Sequence, residues 1–265
     1  MQALQFKRPN TVAEAANLAA GDDNARLLAG GQTLLPSMRL GLIMPGSFID
    51  LSGLAELRGI RAEHKQLTIG AMCRHAEVAA SPEVRSRLPA LARLAGGIGD
   101  PQVRNRGTLG GSIANSDPAA DYPAAVLGLG ATVHTNSRTI AADSFFTGLF
   151  ATALTSGEVI TTVNFPYADQ AGYVKFVQPA SHFALVGVFV ARLGKQVRVA
   201  VTGAAAHVFR APALEQSLAR RFAPEVCDGV SVPSDGLNSD LHGSAVYRAQ
   251  LIPRLARQAV QQALG

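Results

Sequence analysis

Hydrophobic residues follow helical spacing in three parts of the chain. The stretch "TVAEAANLAA", residues 11–20, opens with Thr11 and has Glu14 three positions later, which is the spacing of a capping box at a helix start. Residues 75–97 are helical in pattern, and Pro82 predicts their division into two helices. The tail, residues 244–265, places apolar residues at helical intervals with basic residues on the other side.

Shorter apolar runs predict strands between these helices. "ARLLA" and "SFIDL" are typical of short buried strands, "KQLTIGAM" alternates in the manner of a strand, and "ATVHTN" and "VITTVNFP" are also strand-like. Two β-rich runs flank Gly194-Lys195, which predicts a hairpin. The order of these elements predicts an α+β protein of two parts, and the boundary is expected near Pro166–Gly172.

Composition excludes several classes of protein. A hydrophobic content of 48% with 16% charged residues is typical of a folded soluble chain and excludes wholesale disorder. The net charge of +5 is scattered, without a basic run, and is therefore poor evidence for nucleic-acid binding. The two cysteines lie far apart, and the histidines lack metal-ligand spacing, so no metal site is predicted. No signal-peptide or membrane-spanning pattern is present, which predicts a cytoplasmic protein.

Two glycine-bearing segments carry the candidate chemistry. Gly30-Gly31 follows the first predicted buried strand, and Gly110-Gly111 follows Gly107 with hydroxyl residues interleaved. Glycines leave main-chain N–H groups accessible, and neighbouring hydroxyls add donors, a combination that suits a diphosphate. Neither segment matches the usual dinucleotide fingerprint or the phosphate loop, and each pair alone is better explained as a tight turn than as a ligand site. Two such segments, both expected at strand ends, favour a cofactor.

Four motifs in this order establish a resemblance to a known family. They are "LAGGQTLLPSM", "TIGAMCRHAEVAAS", "IGDPQVRNRGTLGGSIANSDPAADYPA" and "VKFVQPASHFALVGV", and the end "LNSDLHGSAVYRAQLIPRLARQAV" fits the same pattern. The chain resembles the FAD-binding medium subunits of molybdenum hydroxylases, a group that includes the flavoprotein subunits of aerobic carbon monoxide dehydrogenase and xanthine dehydrogenase. The match covers nearly the whole chain.

The resemblance implies a fold and a division into domains. The expected fold is the bipartite PCMH or vanillyl-alcohol-oxidase-like FAD-binding fold, followed by a small C-terminal domain with a three-stranded antiparallel sheet and helices. The FAD-binding domain would span residues 1–168, with two subdomains split near residue 55. The C-terminal flavoprotein domain would span residues 169–265.

The resemblance also implies the cofactor-binding residues. Family members hold the FAD diphosphate between two glycine loops, and further positions approach the flavin or the cofactor hydroxyls. Carried over to this chain, the cofactor-binding residues are Ala29, Gly30, Gly31, Gln32, Thr33, Leu34, Gly107, Thr108, Leu109, Gly110, Gly111, Ser112, Asn115, Asp121, Val159, Ile160, Lys175 and Phe183. Catalytic side chains and metal ligands are not expected, because the redox chemistry belongs to the flavin.

Several of these positions have an alternative structural interpretation. Asp121 matches an acid that accepts hydrogen bonds from cofactor hydroxyls, and the alternative is an N-cap of the following helix. Asn115 could reach a phosphate or cap its loop. The backbone of Val159 and Ile160 matches a strand edge at the flavin, and ordinary strand core is the alternative.

Lys175 and Phe183 lie on the last of the resembling motifs. Lys175 matches a lysine near the cofactor, and otherwise it is the solvated member of an alternating strand. Phe183 stands in "HFA", where carbon monoxide dehydrogenase-like proteins are expected to have "DYA" with a tyrosine over one flavin face. Phenylalanine keeps the stacking surface without the hydroxyl. The alternative for Phe183 is a core aromatic.

The partners follow from the same resemblance. The substrate would be oxidised on a large subunit that carries the molybdenum cofactor. Electrons would then pass through two two-iron two-sulfur clusters on a small subunit to the FAD of this chain. The FAD would pass them to an external acceptor. The complex would be a dimer of heterotrimers. Nucleic acid and a membrane span are not expected. The alternatives are a free-standing flavin oxidase or dehydrogenase of this fold and a non-catalytic assembly module.

Overall fold

The computed structural model describes residues 4–265 and begins with a small parallel sheet. The elements of this first unit are β1 Gln5–Lys7, α1 Val12–Ala20, β2 Ala25–Leu28, α2 Leu34–Arg39 and β3 Ser47–Asp50, followed by a 3-10 turn at Ala55–Leu57. The strands lie in the order β1–β3–β2, and both pairs are parallel. Parallel neighbours place their carboxyl ends at one edge, so the chain after β2 emerges at that edge.

Helix α1 begins where the sequence predicts. The hydroxyl of Thr11 accepts a hydrogen bond from the amide of Glu14 at 3.1 Å. The carboxylate of Glu14 reaches back to the amide of Asn10 at 2.7 Å, one residue before the helix cap. The first bond satisfies an amide that the helix itself leaves without a partner, and the second ties the residue before the cap to the first turn.

The second unit is an antiparallel sheet covered by short helices. Its strands are β4 Ile60–Ala62, β5 Gln66–Gly70, β6 Thr132–Thr135, β7 Thr139–Ala141 and β10 Ile160–Pro166, in the order β4–β5–β10–β6–β7. Its helices are α3 His75–Ala80, α4 Pro82–Arg87, α5 Pro89–Gly96, α6 Pro101–Arg104, α7 Leu109–Asn115, α8 Tyr122–Leu129 and α9 Ala142–Phe145. A separate small hairpin consists of β8 Phe146–Gly148 and β9 Ala151–Thr152.

Two local predictions for this unit were wrong. Residues 75–96 form three helices, since Pro89 begins a new helix just as Pro82 does. Gly110 and Gly111 lie in the first turn of α7, capped by Thr108, and do not follow a strand as Gly30-Gly31 does.

The third unit is a second antiparallel sheet with two helices. Its strands are β11 Gln170–Val177, β12 Ala184–Leu193, β13 Gln196–Thr202 and the two-residue β14 Phe209–Arg210, in sequential order. The helices are α10 Pro212–Arg220 and α11 Ala245–Leu264, with a 3-10 turn at Pro224–Cys227 between them. Gly194, at φ 61°, allows the tight hairpin predicted between β12 and β13.

The central hydrophobic core joins the second and third units. Leu91, Tyr122 and Phe165 belong to the same buried cluster as Tyr173 and Phe189 from the third unit's sheet. Because one core runs through both units, it does not mark a boundary between residues 168 and 169. The division into an FAD-binding domain and a C-terminal domain therefore stays a prediction. No helix among residues 4–265 is both long and apolar enough to cross a membrane.

Candidate functional site

A cavity of about 690 Å³ lies between the first unit and the second. Its volume is in the range of small-molecule sites, and its wall is mainly apolar with a few polar groups. All the sequence-predicted site residues line it except Leu109, which is fully buried, and Lys175. The structure therefore brings both glycine segments to one site.

The first glycine segment presents unused backbone amides to this cavity. It links the end of β2 to the start of α2, and Gly31 turns the chain at φ 71°. A Cβ on Gly30 would overlap the carbonyl oxygen of Arg106, so the two segments touch through backbone alone. Within the described part of the chain, none of the amides of residues 30–34 donates a hydrogen bond. Consecutive free N–H groups in a turn form an anion-binding concavity.

The second glycine segment is bonded differently. The amide of Leu109 donates to the carbonyl of Cys73 at 3.0 Å, and that of Gly110 donates to the carbonyl of Ala71 at 2.8 Å. The Thr108 hydroxyl accepts from the amide of Gly111 at 3.2 Å. A Cβ on Gly110 would stand 2.6 Å from the Cβ of Ala71, so this glycine is required for packing. The expectation that this segment offers its amides to a diphosphate is wrong for Leu109 and Gly110.

The side chain of Asp121 is engaged by residues of β11. The hydroxyl of Tyr173 donates to one carboxylate oxygen at 2.6 Å, and the ammonium of Lys175 lies 2.9 Å from that oxygen and 3.2 Å from the other. Both charged side chains are nearly buried, at 3% and 10% exposure. Burial raises the pKa of Asp121, while Lys175 and Tyr173 oppose that rise.

These contacts decide three alternatives that the sequence leaves open. Asp121 does occupy the N-cap position of α8, but its side chain makes no capping bond. Lys175 is not a solvated residue, since its ammonium also donates to the carbonyls of Gly97 and His182, both at 2.9 Å. Phe183 is not a core aromatic, since it is 45% exposed at the cavity.

The backbone at the start of β10 is partly occupied. The side-chain oxygen of Asn136 accepts a hydrogen bond from the backbone amide of Val159 at 2.8 Å. The backbone amide of Asn136 donates to the carbonyl of Val159 at 3.0 Å. Ile160 pairs with Thr135 of β6. Val159 and Ile160 therefore reach the cavity chiefly as apolar side chains. Asn115 ends α7, lines the cavity and makes no side-chain hydrogen bond within residues 4–265.

Sequence reasoning missed several polar residues of the cavity wall, of which His75 and Asp117 bear most on its chemistry. His75 is buried, and its Nδ1 has no hydrogen-bond partner among the described residues. Asp117 accepts one hydrogen bond, from the amide of Ala119 at 2.9 Å, and burial raises its pKa. Both lie inside motifs that carry the family resemblance, and that position is the signal that could have identified them.

Burial keeps His75 neutral and makes stability depend on pH. Loss of hydration, reinforced by the charge of Arg104, lowers the pKa of His75 to about 4. The unfolded chain binds a proton at this residue near pH 6.5 and the folded chain does not. This contribution to stability is therefore complete above pH 6.5 and is lost as the pH falls towards 4. At about 1.4 kcal/mol for each pKa unit, the loss amounts to about 3 kcal/mol.

We therefore expect the unfolding free energy of the parent chain to fall more steeply between pH 7 and 4 than that of His75→Gln. Urea titrations at several pH values measure both slopes. The control is His64→Gln, because His64 is exposed. Equal slopes for parent and His75→Gln would contradict a neutral buried imidazole.

Comparison with known proteins extends these observations. Residues 2–168 match the family described as FAD binding domain in molybdopterin dehydrogenase. The nicotine 6-hydroxylase medium subunit of Paenarthrobacter nicotinovorans is 34% identical over 278 residues, covering 99% of this chain and 98% of its own. The carbon monoxide dehydrogenase medium chain of Hydrogenophaga pseudoflava is 35% identical over 280 residues, covering 98% and 96%.

Solved structures give the same result for the fold. Carbon monoxide dehydrogenase from Hydrogenophaga pseudoflava, in a form that lacks the Mo-pyranopterin moiety, matches with a TM-score of 0.87 at 34% identity, covering 98% of this chain and 97% of that one. Quinoline 2-oxidoreductase from Pseudomonas putida 86 matches with a TM-score of 0.88 at 28% identity, covering 98% and 96%.

Proposed function

This chain belongs to the family of FAD-binding domains in molybdopterin dehydrogenases and is a flavoprotein oxidoreductase subunit, and from this premise we propose that it receives electrons from iron–sulfur clusters of a small subunit and passes them to an external acceptor. The predicted α+β fold and FAD as cofactor are confirmed by the same comparisons. The observation that carries the proposal is the run of unbonded amides at residues 30–34, all of which line the cavity.

The first glycine segment would hold the diphosphate. Five successive amides without protein acceptors are available to anionic oxygens, and bonds to charged acceptors are stronger than neutral ones. Ala29 precedes this run and Leu34 ends it, and Gln32 and Thr33 add a carboxamide and a hydroxyl beside the amides. When bound, FAD supplies the redox chemistry, while these residues bind it, orient it and limit its contact with water.

The second glycine segment would contribute side chains rather than the amides of its first turn. Thr108, Ser112 and Asn115 line the cavity, and the carboxamide of Asn115 is not used elsewhere in the described chain. Gly107 and Gly111 keep the wall thin at the point where the segments meet, while Leu109 acts as core beneath them. We assign side chains rather than amides to this role because the amides of Leu109 and Gly110 already donate to carbonyls of the protein.

The acidic residues of the wall would have different tasks. Asp121 stays a proposed cofactor contact, but its two oxygens are already held by Tyr173 and Lys175. Asp117 has one hydrogen bond and is the better placed acceptor for cofactor hydroxyls. Lys175 would act indirectly, by keeping Asp121 charged and in position. Phe183 would cover one flavin face from the cavity mouth, without the hydroxyl expected of a tyrosine at that position.

Substrate oxidation would take place on another subunit. The chain has two cysteines, both buried, which is too few for a four-thiolate iron–sulfur cluster. Residues 4–265 contain no group of histidine, cysteine and acidic side chains able to hold a metal ion. The two relatives described above are named as a medium subunit and a medium chain. We therefore propose a small iron–sulfur subunit and a large molybdenum-cofactor subunit as partners, in a dimer of heterotrimers.

Purified alone with FAD, the full chain is expected to be reduced by dithionite but not by carbon monoxide, purines or N-heterocycles. Anaerobic bleaching of the flavin absorption measures both results. The control is the dithionite-reduced chain mixed with an artificial electron acceptor, which should restore the absorption. Bleaching by one of these substrates without partners would favour the free-standing enzyme instead. A chain that binds no FAD would favour the non-catalytic module.

A further inference from the structure

The tip of the β8–β9 hairpin carries two large apolar residues that the fold does not use. Gly148 pairs with Ala151, so Leu149 and Phe150 form the two-residue turn between the strands. Their exposed fractions are 60% and 56%. In the described part of the chain, neither residue belongs to the three hydrophobic cores. Neither core packing nor solubility accounts for this choice of residues.

Phe150 is also in an unfavourable backbone conformation. Its φ is +50°, in the left-handed region, where turns of this kind favour glycine or asparagine. Bulky residues rarely adopt this conformation, and when they do the surrounding structure must compensate for the strain. Conflicts between local preference and the fold are expected at functional sites. At this hairpin tip the sequence keeps a phenylalanine where glycine would be the easier residue.

The two residues of the tip differ in one respect. Phe150 lines the cavity assigned above to FAD, and Leu149 does not. The left-handed backbone therefore brings the aromatic residue to the cavity and leaves the aliphatic residue outside. The natural partner of an exposed aromatic face in a ligand cavity is another planar ring, in a stacked or edge-to-face contact.

We propose that Phe150 contacts a planar ring of bound FAD and closes that side of the cavity over it. The inference rests on the proposed assignment of the cavity to FAD. Both the isoalloxazine and the adenine offer the required chemistry, a flat aromatic surface. The strained turn is the cost of presenting the side chain in this direction.

The test is titration of the full-length apoprotein with FAD and with FMN, in the parent chain and in Phe150→Gly. The variant should bind FAD about two- to tenfold more weakly, which is the range for losing one aromatic contact. Its urea midpoint should not fall, because glycine accepts a φ of +50° without strain. Contact with the isoalloxazine would weaken FMN as well and shift the flavin absorption band, while contact with the adenine would weaken FAD alone.

Two matched variants complete the test. Leu149→Gly changes the neighbouring residue of the same turn and should leave FAD binding unchanged, and Phe150→Trp keeps a ring and should retain the affinity. Equal FAD affinity of Phe150→Gly and the parent would overturn the inference, and so would an equal loss in Leu149→Gly. Unchanged FAD binding with weaker association of partner subunits would make Phe150 a docking residue and overturn it too. A parent chain that binds no FAD would overturn the proposed function together with this inference.

Discussion

Replacement of Gly31 by valine is expected to leave a folded chain that has lost at least a hundredfold of its affinity for FAD. Gly31 holds φ at 71° within the run of free amides, and a branched residue would have to leave that region. The amides on either side would then turn away from the cavity. Loss of two charge-assisted bonds at about 1.5–3 kcal/mol each corresponds to a factor of about 10² to 10⁴.

Gly41→Val is the matched control for this variant. Gly41 has nearly the same φ, 70°, has open space around its Cα and does not line the cavity. Gly41→Val should lose about 1–2 kcal/mol of folding stability from the left-handed conformation alone. Gly31→Val should lose that amount and somewhat more, because a Cβ at Gly31 would stand 2.9 Å from the side chain of Leu35. FAD titration of the apoproteins, with urea unfolding alongside, separates the two effects. If Gly31→Val binds FAD as tightly as Gly41→Val, the first glycine segment does not hold the cofactor.

Lys175→Met is expected to lower the unfolding free energy by about 3–5 kcal/mol. The substitution removes the only cation paired with Asp121 among the described residues and leaves a buried carboxylate with Tyr173 as its remaining side-chain donor. Removing one partner of a buried ion pair is costly because the other charge stays out of water. Urea unfolding at pH 7 measures the loss.

The double variant Asp121→Asn/Lys175→Met distinguishes pairing from packing. With no charge left to compensate, it should recover much of the stability that Lys175→Met loses. Arg257→Met provides a control at the surface, where the pair between Arg257 and Asp228 is about half exposed and should contribute little. If the double variant is less stable than Lys175→Met alone, the lysine acts through its packing and its bonds to the two carbonyls.

Much of the fold could be predicted from the sequence because the relevant signals are local. The hydroxyl at Thr11 and the glycine at Gly194 act on their immediate neighbours, and the structure has the helix start and the hairpin at those positions. The errors were also local. Pro89 was not recognised as a second break between helices, and Gly110-Gly111 was expected after a strand because its glycines resemble those at Gly30-Gly31.

The resemblance to a family identified most of the cavity wall in advance, but it could not identify which atoms are free. The amides of Leu109 and Gly110 are used by carbonyls of the segment around Ala71, far away in the sequence. The carboxylate of Asp121 is used by β11, from the third unit. His75 lies in one of the family motifs, but its burial without a partner for Nδ1 is visible only in the tertiary structure.

The sequence by itself determined many of the helices, strands and turns, the lack of enough cysteines for iron–sulfur ligation and, through its motifs, the family. These depend on residue types and on spacings of a few positions. The tertiary structure decided which donors and acceptors reach the cavity, that Lys175 is buried against Asp121, and that Phe150 lines the cavity from a strained turn. A polar group is free for a ligand only when no other part of the folded chain satisfies it, and the parts that do so are brought together by packing.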